Sequence, residues 1–397
     1  MALPSCCLVS HTLQNGIGPA DANLLLAAEL TKRNHRVSLC GLSDGRRTTV
    51  ESESRLIHDV TENALHIPEA ISWEERCEAL RNFLAEQELD FVIIRFIPYS
   101  LNPKGIVWKA ANSLPKVLRG RSVFWLVDEI WLGEGPTNWK HRLVGLLQRY
   151  SILRLLKATP NRLVFTNNHF NTKALQLRGV KARTLRLFGN IPVVDSDRGA
   201  WLFHEFEKAG IPITPANRSQ WLVLGIFGVF HSDWDPDSFL SELKDRAAQH
   251  GRQVCLVGVG SLRSYEAHWE NVSQKWAASF QFLHLGCREE SEVSQFLQSV
   301  DFGLTTNPYF LVGKSGTCMA MLDHGLPILV PRITSHDDPT EFPAQLVLRC
   351  GNSIGDEVFS PRHPLAPNPQ LPHAVDELVA AMSTGKLKST HARQTDR

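Results

Sequence analysis

The most informative stretch of this chain is Gly313-Lys314-Ser315-Gly316-Thr317-Cys318-Met319-Ala320-Met321-Leu322-Asp323-His324-Gly325-Leu326-Pro327-Ile328-Leu329-Val330. Gly316 allows the backbone to approach a ligand closely, and Ser315 or Thr317 can cap a helix over 318–324. Gly325 and Pro327 end that helix before an apolar run that predicts a buried strand. The stretch therefore predicts a turn, a short helix and a strand, with unpaired N–H groups at the helix start that can bind a phosphate.

Lys314 adds a positive charge at the start of the predicted helix, which favours a diphosphate. A nucleotide-binding P-loop also ends in Gly-Lys-Ser, but it requires a glycine five positions before Gly313, and Pro308 occupies that position. The remaining alternative is an ordinary helix start in a solvent-exposed turn. We predict that Lys314 and the three residues after it bind the phosphate groups of a ligand.

The composition favours small-molecule chemistry. The 397 residues include 42 lysines and arginines against 41 aspartates and glutamates, a balance that argues against a nucleic-acid or polyanion-binding protein. Hydrophobic residues make up 43% of the chain, which is enough for two ordinary cores. No apolar run approaches the ~20 residues of a membrane span. We expect two domains and no membrane-spanning segment.

The cysteines and the amino terminus indicate the compartment. The eight cysteines form no Cys-x-x-Cys pair and mostly lie in apolar segments, so we expect neither disulfides nor a zinc site. Residues 1–10 contain no basic leader and no long apolar region, and residues 6–9 read instead as a first strand. We therefore expect a cytoplasmic protein.

Two series of apolar strands alternate with helices along the chain, the first ending near 162–166 and the second starting at 221–228. Continuous apolar strands separated by helices are typical of parallel sheets, so we predict an α/β protein with two Rossmann-like domains. We expect the ligands at the carboxyl ends of the strands, in a cleft between the domains. The predicted boundaries are 1–190 for the first domain, 191–360 for the second, 361–386 for a helical segment and 387–397 for a disordered tail.

Two further candidates for the ligand site lie in the second domain. The turn ending at Gly228 leads out of its first strand and is followed by His231, which can stack or hydrogen-bond; a simple packed loop is the alternative. Arg288 follows another strand and is a candidate second cation, because arginine binds phosphate oxygens bidentately; a solvent-exposed arginine is the alternative. Asp233 and Asp235 spell an Asp-x-Asp metal motif, which we interpret as a loop and helix cap, and we expect no metal.

The first domain offers a loop and an acidic pair. His11, Gly16 and Gly18 precede the first helix, but Asp21 breaks the dinucleotide-binding fingerprint, so a nicotinamide enzyme is not expected. This loop is a candidate cleft loop or a structural turn. The catalytic candidates Asp128 and Glu129 follow the apolar strand 123–127, and Glu129 is the predicted base for an acceptor hydroxyl or a ligand of the acceptor. An acidic pair in a surface turn is the alternative.

The order of these motifs resembles that of bacterial glycosyltransferases with the GT-B architecture, in particular family-1-type enzymes related to the retaining family 4. The resemblance covers about residues 8–345. It is carried by residues 15–18, 98–100, 129–133, 166–168 and 301–330, and it implies that Tyr99 and Ser100 belong to a loop of the ligand cleft. It implies transfer of a sugar from a nucleotide-diphosphate sugar to an acceptor hydroxyl, with the nucleotide sugar as co-substrate, no separate cofactor and a role in polysaccharide or glycoconjugate biosynthesis.

One departure from the family concerns its paired glutamates, which contact the donor sugar and ribose. Aligning Gly325 and Pro327 with the family motif places Val312 and Ala320 at those positions. The donor and the anomeric outcome are therefore not carried over. A nucleotide-sugar epimerase of the same fold and a catalytically silent sugar-nucleotide-binding protein stay as alternatives.

A basic amphipathic segment runs from Trp139 to Lys157 and carries several lysines and arginines among its leucines. It reads either as an ordinary core-packed helix or as a helix that contacts anionic lipid headgroups. The second reading would place the protein at the inner face of a membrane, where a lipid-linked acceptor would lie.

Overall fold

We analysed a computed structural model of the chain, which describes residues 3–14, 18–57, 60–132, 139–195, 199–262, 265–351, 353–360 and 365–394. The chain forms two compact units. The first comprises Met1–Arg186 and Leu371–Arg397, and the second comprises Leu187–Gln370. The return of the chain to the first unit at Leu371 was not expected from the sequence.

The first unit is built on an eight-stranded sheet in the order β3-β4-β2-β1-β5-β6-β7-β8. Every strand pair is parallel except β3 with β4, which form an antiparallel hairpin at one edge that the sequence did not predict. The strands are β1 Cys6–Ser10, β2 Val37–Asp44, β3 Glu51–Ile57, β4 Val60–Pro68, β5 Phe91–Phe96, β6 Ser122–Val127, β7 Arg162–Thr166 and β8 Ala182–Thr184.

Helices connect the parallel strands of the first unit. They are α1 Gly18–Lys32, α2 Trp73–Glu86, α3 Pro98–Leu101, α4 Trp108–Val117, α5 Trp139–Ala158 and α6 His169–Gln176. The start of α2 shows why the chain turns into a helix there, because the Ser72 side chain accepts from the Glu75 N–H while the Glu75 carboxylate accepts from the Ser72 N–H. The central strands are largely apolar, and Trp125 and Phe124 lie fully buried among them.

The second unit is built on a six-stranded sheet in the order β11-β10-β9-β12-β13-β14, with all pairs parallel. Its strands are β9 Trp221–Phe227, β10 Gln253–Val259, β11 Gln281–His284, β12 Phe302–Leu304, β13 Ile328–Val330 and β14 Val347–Arg349. Its helices are α7 Ala200–Lys208, α8 Asp237–Gln249, α9 Glu266–Trp276, α10 Glu290–Ser299 and α11 Gly316–Asp323. The prediction of an α/β protein with two parallel-sheet domains is confirmed.

The last helix, α12, spans Leu371–Gln394 and belongs to the first unit. Arg33 of α1 donates to the Pro372 carbonyl over 3.0 Å and pairs with Asp376. The helix continues beyond residue 386, where the sequence analysis placed the start of a disordered tail, and residues 395–397 lie outside the described part of the chain.

Each sheet contains one point at which the strand order reverses. In the first unit the reversal lies between β1 and β5, and in the second it lies between β9 and β12. Open parallel sheets bind ligands in the crevice at the carboxyl ends of the strands beside such a reversal. The segments that follow β1, β5, β9 and β12 are therefore the places to look for a site.

Candidate functional site

In the second unit, the turn after β9 packs directly against the start of α11. Gly228 has a φ of 90°, and a Cβ atom at this position would lie 2.7 Å from the Thr317 Cγ2 atom. Gly260 follows β10, and a Cβ atom at this position would lie 3.3 Å from the Gly228 Cα atom. Only glycine allows this approach. The structure thus brings together Gly228 and Thr317, which the sequence analysis named separately.

Side-chain hydroxyls organise the first turn of α11. The Ser315 Oγ atom accepts from the Cys318 N–H over 3.3 Å and lies 3.0 Å from the Thr317 Oγ1 atom. The residue that caps the helix is therefore Ser315, whereas the sequence left Ser315 and Thr317 as alternatives. Gly316 is the first helical residue, and a Cβ atom there would meet only the Asn190 Oδ1 atom, at 4.0 Å. The remaining N–H groups of this turn can serve a ligand.

The residues after β12 extend this hydroxyl cluster, and the sequence analysis missed them. The Asn307 amide donates to the Thr305 Oγ1 atom over 3.2 Å and to the Ser315 Oγ atom over 3.4 Å. The Cys318 thiol donates to the Thr305 hydroxyl over 3.3 Å. The available signal was the run Thr305-Thr306-Asn307, since three polar residues directly after a buried strand mark a sheet edge.

Lys314 and His231 flank the cluster. Lys314 ends the 3-10 helix Tyr309–Lys314, is half-buried and directly precedes the capping Ser315. The His231 N–H donates to the Thr306 Oγ1 atom over 3.2 Å, which ties the loop after β9 to the end of β12. The predicted donor-site residues Lys314, Ser315, Gly316, Thr317, Gly228 and His231 therefore lie on the segments that border the reversal in this sheet.

The Asp-Trp-Asp sequence is engaged in local structure. The Asp233 carboxylate accepts from the Arg332 guanidinium over 2.9 and 3.2 Å, and hydrogen bonding to Arg332 lowers the pKa of Asp233. Asp235 accepts from the Asp237 N–H over 3.1 Å, and Trp234 is buried. Nowhere in the described ranges do three or more His, Cys, Asp or Glu side chains gather as a metal site would require.

Arg288 differs from the free cation that the sequence analysis predicted. Its guanidinium donates to the Glu205 carboxylate over 2.8 Å and lies 5.9 Å from the ring centre of Trp201. The pKa of Glu205 is lowered, first by the hydrogen bond from Lys208 and also by the charge of Arg288. The positive charge of Arg288 is therefore at least partly compensated within the protein, by a carboxylate that also pairs with Lys208.

In the first unit, Asp128 follows β6 and is held by a buried arginine. The Arg95 Nη1 atom lies 3.1 Å from both Asp128 carboxylate oxygens, and the Arg95 Nε–H donates to the Asn23 Oδ1 atom over 2.9 Å. Asn167 adds a hydrogen bond to Asp128 over 3.4 Å. Because both of its oxygens accept from a fixed guanidinium, Asp128 is suited to positioning its neighbours and poorly suited to taking a proton.

Glu129 and Tyr99 lie close enough to interact electrostatically. Burial raises the pKa of the Tyr99 hydroxyl, and the negative charge of Glu129 adds to the rise, while the hydrogen bond from Gln148 opposes it. The Gln148 Nε2 group donates to that hydroxyl over 3.0 Å. The Ser100 hydroxyl donates to the Ile97 carbonyl over 2.8 Å, so it stabilises the turn after β5. Among the predicted site residues after β5 and β6, Glu129 and Tyr99 therefore stay the candidates for contact with a substrate.

The loop after β1 is described only in part. His11 follows β1, its carbonyl accepts from the Ser43 N–H over 2.6 Å, and burial lowers the pKa of its imidazole. Gly18 begins α1, and a Cβ atom there would meet nothing within 4 Å, so the fold itself does not require glycine at this position. Gly16, the other predicted glycine, lies outside the described residues.

The sequence analysis also did not identify a buried histidine, His66 on β4, which bonds to carboxylates of β2 and β3. The His66 Nδ1 atom lies 2.9 Å from Asp44 and its Nε2 atom lies 3.0 Å from Glu53. Gln14, from the loop after β1, donates to the other Asp44 oxygen over 2.7 Å. This network depends on the hairpin β3–β4, and the sequence analysis assigned no strands to residues 51–68.

Comparison with known proteins gives a likeness in fold. No protein-family model matches the chain, and no curated protein matches it in sequence. Among solved structures, the catalytic domain of starch synthase IV from Arabidopsis thaliana, bound to ADP and acarbose, has a TM-score of 0.52 at 10% identity and covers 98% of this chain and 94% of its own. The lipopolysaccharide outer core galactosyltransferase WaaB has a TM-score of 0.52 at 11% identity, covering 98% and 99%.

A third structure, HepE from Anabaena in complex with UDP-glucose, has a TM-score of 0.51 at 12% identity and covers 99% of this chain and 100% of its own. These likenesses extend over nearly the whole chain. They confirm the predicted GT-B fold class, in which both domains are Rossmann-like.

Proposed function

We propose that this chain is a glycosyltransferase of the hexosyltransferase class, which moves a sugar from a nucleotide-diphosphate sugar to an acceptor hydroxyl. The observation that carries the proposal is the close approach of Gly228 to Thr317 at the first turn of α11, beside the strand reversal of the second sheet. Two proteins with the same fold were solved with ADP and with UDP-glucose, and this supports a nucleotide-sugar donor.

A nucleotide-diphosphate donor requires the second unit to stabilise its leaving group. Negative charge develops on the leaving diphosphate as the sugar departs, and fixed cations and N–H groups stabilise that charge. Lys314 supplies the cation, and the N–H groups of the turn capped by Ser315 supply the dipoles. We propose transfer without a metal ion, because the carboxylate of Asp233 is already occupied by Arg332.

On the acceptor side, Glu129 is the proposed catalytic base or acceptor ligand. Its charge acts on the Tyr99 hydroxyl, and it directly follows Asp128, which forms an ion pair with Arg95 at the end of β6. A carboxylate in this position can take the proton of an acceptor hydroxyl. Asp128 then acts as a positioning residue.

A catalytically silent sugar-nucleotide-binding protein is the second candidate, and one observation favours it. Val312 and Ala320, which occupy the positions of the family glutamates, are fully buried. A Cβ atom on Gly189 would lie 2.5 Å from the Ala320 Cα atom, so the backbone packs tightly against this part of α11. A protein that had lost catalysis would keep the phosphate-binding turn and fill the carboxylate positions in this way.

The decisive experiment compares Lys314→Ala with the wild type in donor binding. Isothermal titration with UDP-, GDP-, ADP- and dTDP-sugars should give binding of one nucleotide class, and the variant should bind at least about tenfold more weakly, because a charge-assisted contact to the diphosphate is lost. Lys244→Ala removes an exposed lysine of α8 and serves as the matched control. If wild type and Lys314→Ala bind the nucleotide sugar with equal affinity, the proposed donor site is wrong.

Turnover separates the transferase from the silent binder. Nucleotide release that requires an added acceptor supports transfer, whereas donor binding without release of nucleotide supports the binder. Release should fall by at least about a hundredfold in Glu129→Gln if Glu129 is the base, since general base catalysis contributes about 10²–10⁴-fold.

The exposed face of α5 supports an acceptor at a membrane surface. Trp139 is 70% exposed, Leu143 and Leu146 are each 50% exposed and Tyr150 is 62% exposed, at the spacing of one helix face. Lys140, Arg142, Arg154 and Lys157 are exposed on the same helix. None of the helices among the described residues is long and apolar enough to cross a bilayer. We propose that α5 lies on an anionic membrane, at its inner face.

Sedimentation with lipid vesicles tests this contact. The wild type should sediment with vesicles containing anionic lipid and not with neutral vesicles, and the double variant Leu143→Ser/Leu146→Ser should lose most of the binding. The matched control Leu177→Ser removes an exposed leucine outside α5. Wild-type sedimentation by the α5 variant would contradict the contact without affecting the proposed donor site.

A further inference from the structure

A cavity lies at the edge of the second sheet opposite to the proposed donor site. Its volume is about 580 Å³, and all of its lining residues belong to the second unit. Arg252 precedes β10, Asp301 precedes β12 and Pro327 precedes β13, so the cavity is formed at the amino ends of the strands. Small-molecule sites typically have volumes of about 300–1,000 Å³, so the space suits a small ligand.

Two arginines line this cavity, and they differ in their partners. Arg218 is fully engaged, because its guanidinium lies 3.0 and 2.9 Å from the two carboxylate oxygens of Asp301 and also donates to the Trp221 carbonyl. The Arg252 guanidinium donates only to the Ser219 carbonyl, and its Nε–H is buried with no acceptor in the described part of the chain. The pair Arg218–Asp301 is neutral overall, so Arg252 leaves the cavity wall with a net positive charge.

The rest of the wall is mixed. Leu365, which is 39% exposed, lines the cavity together with Pro327 and Pro367, and the polar residues of the wall are Ser219, Gln298, Ser299 and His324. The terminal nitrogens of the Arg252 guanidinium carry further N–H groups besides the one bonded to Ser219, and an anionic group in the cavity can accept from them. The cavity therefore combines a guanidinium with a wall of mixed polarity.

We propose that this cavity binds a small organic anion, whose carboxylate or phosphate accepts from Arg252 and whose apolar part packs against Leu365 and Pro367. Arginine presents a planar fork of donors that matches both kinds of group. The proposal is independent of the sugar-transfer activity, because no residue of the proposed donor or acceptor site lines this cavity.

The test uses two small probes and one neutral analogue. Phenyl phosphate and benzoate carry the two candidate anionic groups on the same apolar ring, and benzyl alcohol carries none. We expect the wild type to bind at least one of the anions, and Arg252→Met to bind it about tenfold or more weakly, with benzyl alcohol unaffected. The ratio of the two affinities shows whether a phosphate or a carboxylate is preferred.

Two further variants locate the binding. Lys314→Ala should bind the probe as the wild type does, because the anion does not occupy the donor site. Leu365→Trp should fill the cavity and abolish binding while leaving Arg252 in place, and it decides the question if Arg252→Met fails to fold. The proposal is wrong if the wild type binds neither anion at about 10 mM, if Arg252→Met and Leu365→Trp bind normally, or if Lys314→Ala alone loses binding.

Discussion

The two units each contain a largely buried aspartate beside their predicted site residues, and they hold it in opposite ways. In the first unit both oxygens of Asp128 accept from Arg95, whose side chain is 5% exposed. In the second unit Asp323, at the end of α11, accepts from the N–H groups of Gly189 and Gln370 over 2.9 and 3.3 Å. Burial raises the pKa of Asp323 from 3.8 to about 7, although these two hydrogen bonds oppose the rise.

The difference shows what a buried carboxylate requires. A guanidinium supplies a full opposite charge, which offsets the cost of removing the carboxylate from water. Two amide N–H groups supply only dipoles, so burial favours the neutral, protonated form of the carboxyl group. In the first unit the stability contributed by the aspartate therefore depends on an ion pair, and in the second unit it depends on pH.

The largest expected effect comes from breaking the ion pair of the first unit. Arg95→Met should lower the free energy of unfolding by about 3–5 kcal/mol, because it leaves Asp128, whose side chain is only 15% exposed, without a counter-charge. Urea denaturation followed by tryptophan fluorescence measures the loss, since Trp125 lies buried in the core of this unit.

The double variant Arg95→Met/Asp128→Asn is the control for that measurement. It removes both charges, so it should recover a large part of the lost stability. If Arg95→Met lowers the free energy of unfolding by less than about 1 kcal/mol, the pair Arg95–Asp128 contributes no more than an exposed salt bridge. The proposed contrast between the two aspartates would then be wrong.

A somewhat smaller effect is expected from Asp323, and it depends on pH. Because the folded-state pKa lies above the unfolded value of 3.8, the folded state holds its proton more tightly. The free energy of unfolding therefore falls as the pH rises from about 4 to about 7, by up to about 4 kcal/mol. Denaturation at a series of pH values measures the fall.

Asp323→Asn removes this titration and keeps a side-chain oxygen that accepts hydrogen bonds. The stability of the wild type minus that of the variant should therefore decrease between pH 4 and pH 7 and be flat above it. Since His324 is also buried and burial lowers its pKa, His324→Gln should be measured in parallel to separate the two groups. A constant difference between wild type and Asp323→Asn across this range would show that the two amides suffice to keep Asp323 ionised.

The sequence predicted most of the parallel strands because they are largely apolar, and both sheets confirm these, but it missed the short strands β8 and β14. It did not predict β3 and β4, because their polar sequences gave no signal that distinguishes an edge hairpin from a loop. It also did not predict that α12 belongs to the first unit, since that requires knowing which distant surface the helix covers.

The site was predictable where a local pattern carried it. Ser315 before a short helix gives a cap, and the structure confirms that cap. The partners of charged residues were not predictable in this way: Arg288 pairs with Glu205, and Arg95 pairs with Asp128, across 83 and 33 positions of sequence. Pairing over such distances depends on the three-dimensional fold, so single-sequence reasoning identifies candidate cations without showing which ones are already neutralised.

The smallest expected effect concerns the glycine contact, which separates the backbone-based site of the second unit from the charge-based one of the first. Gly228→Ala should lower the free energy of unfolding by about 1–3 kcal/mol, through its positive φ and the contact of the new Cβ atom with Thr317. Gly251→Ala is the matched control, because Gly251 also has a positive φ but a Cβ atom there meets nothing within 4 Å.

Thr317→Ser removes the Cγ2 atom and keeps the hydroxyl, so it should restore much of the stability that Gly228→Ala loses and should not restore Gly251→Ala. If donor binding by Gly228→Ala recovers together with stability in the double variant, the contact itself shapes the phosphate-binding turn. If Thr317→Ser has no effect in the Gly228→Ala background, backbone strain at Gly228 accounts for the whole loss.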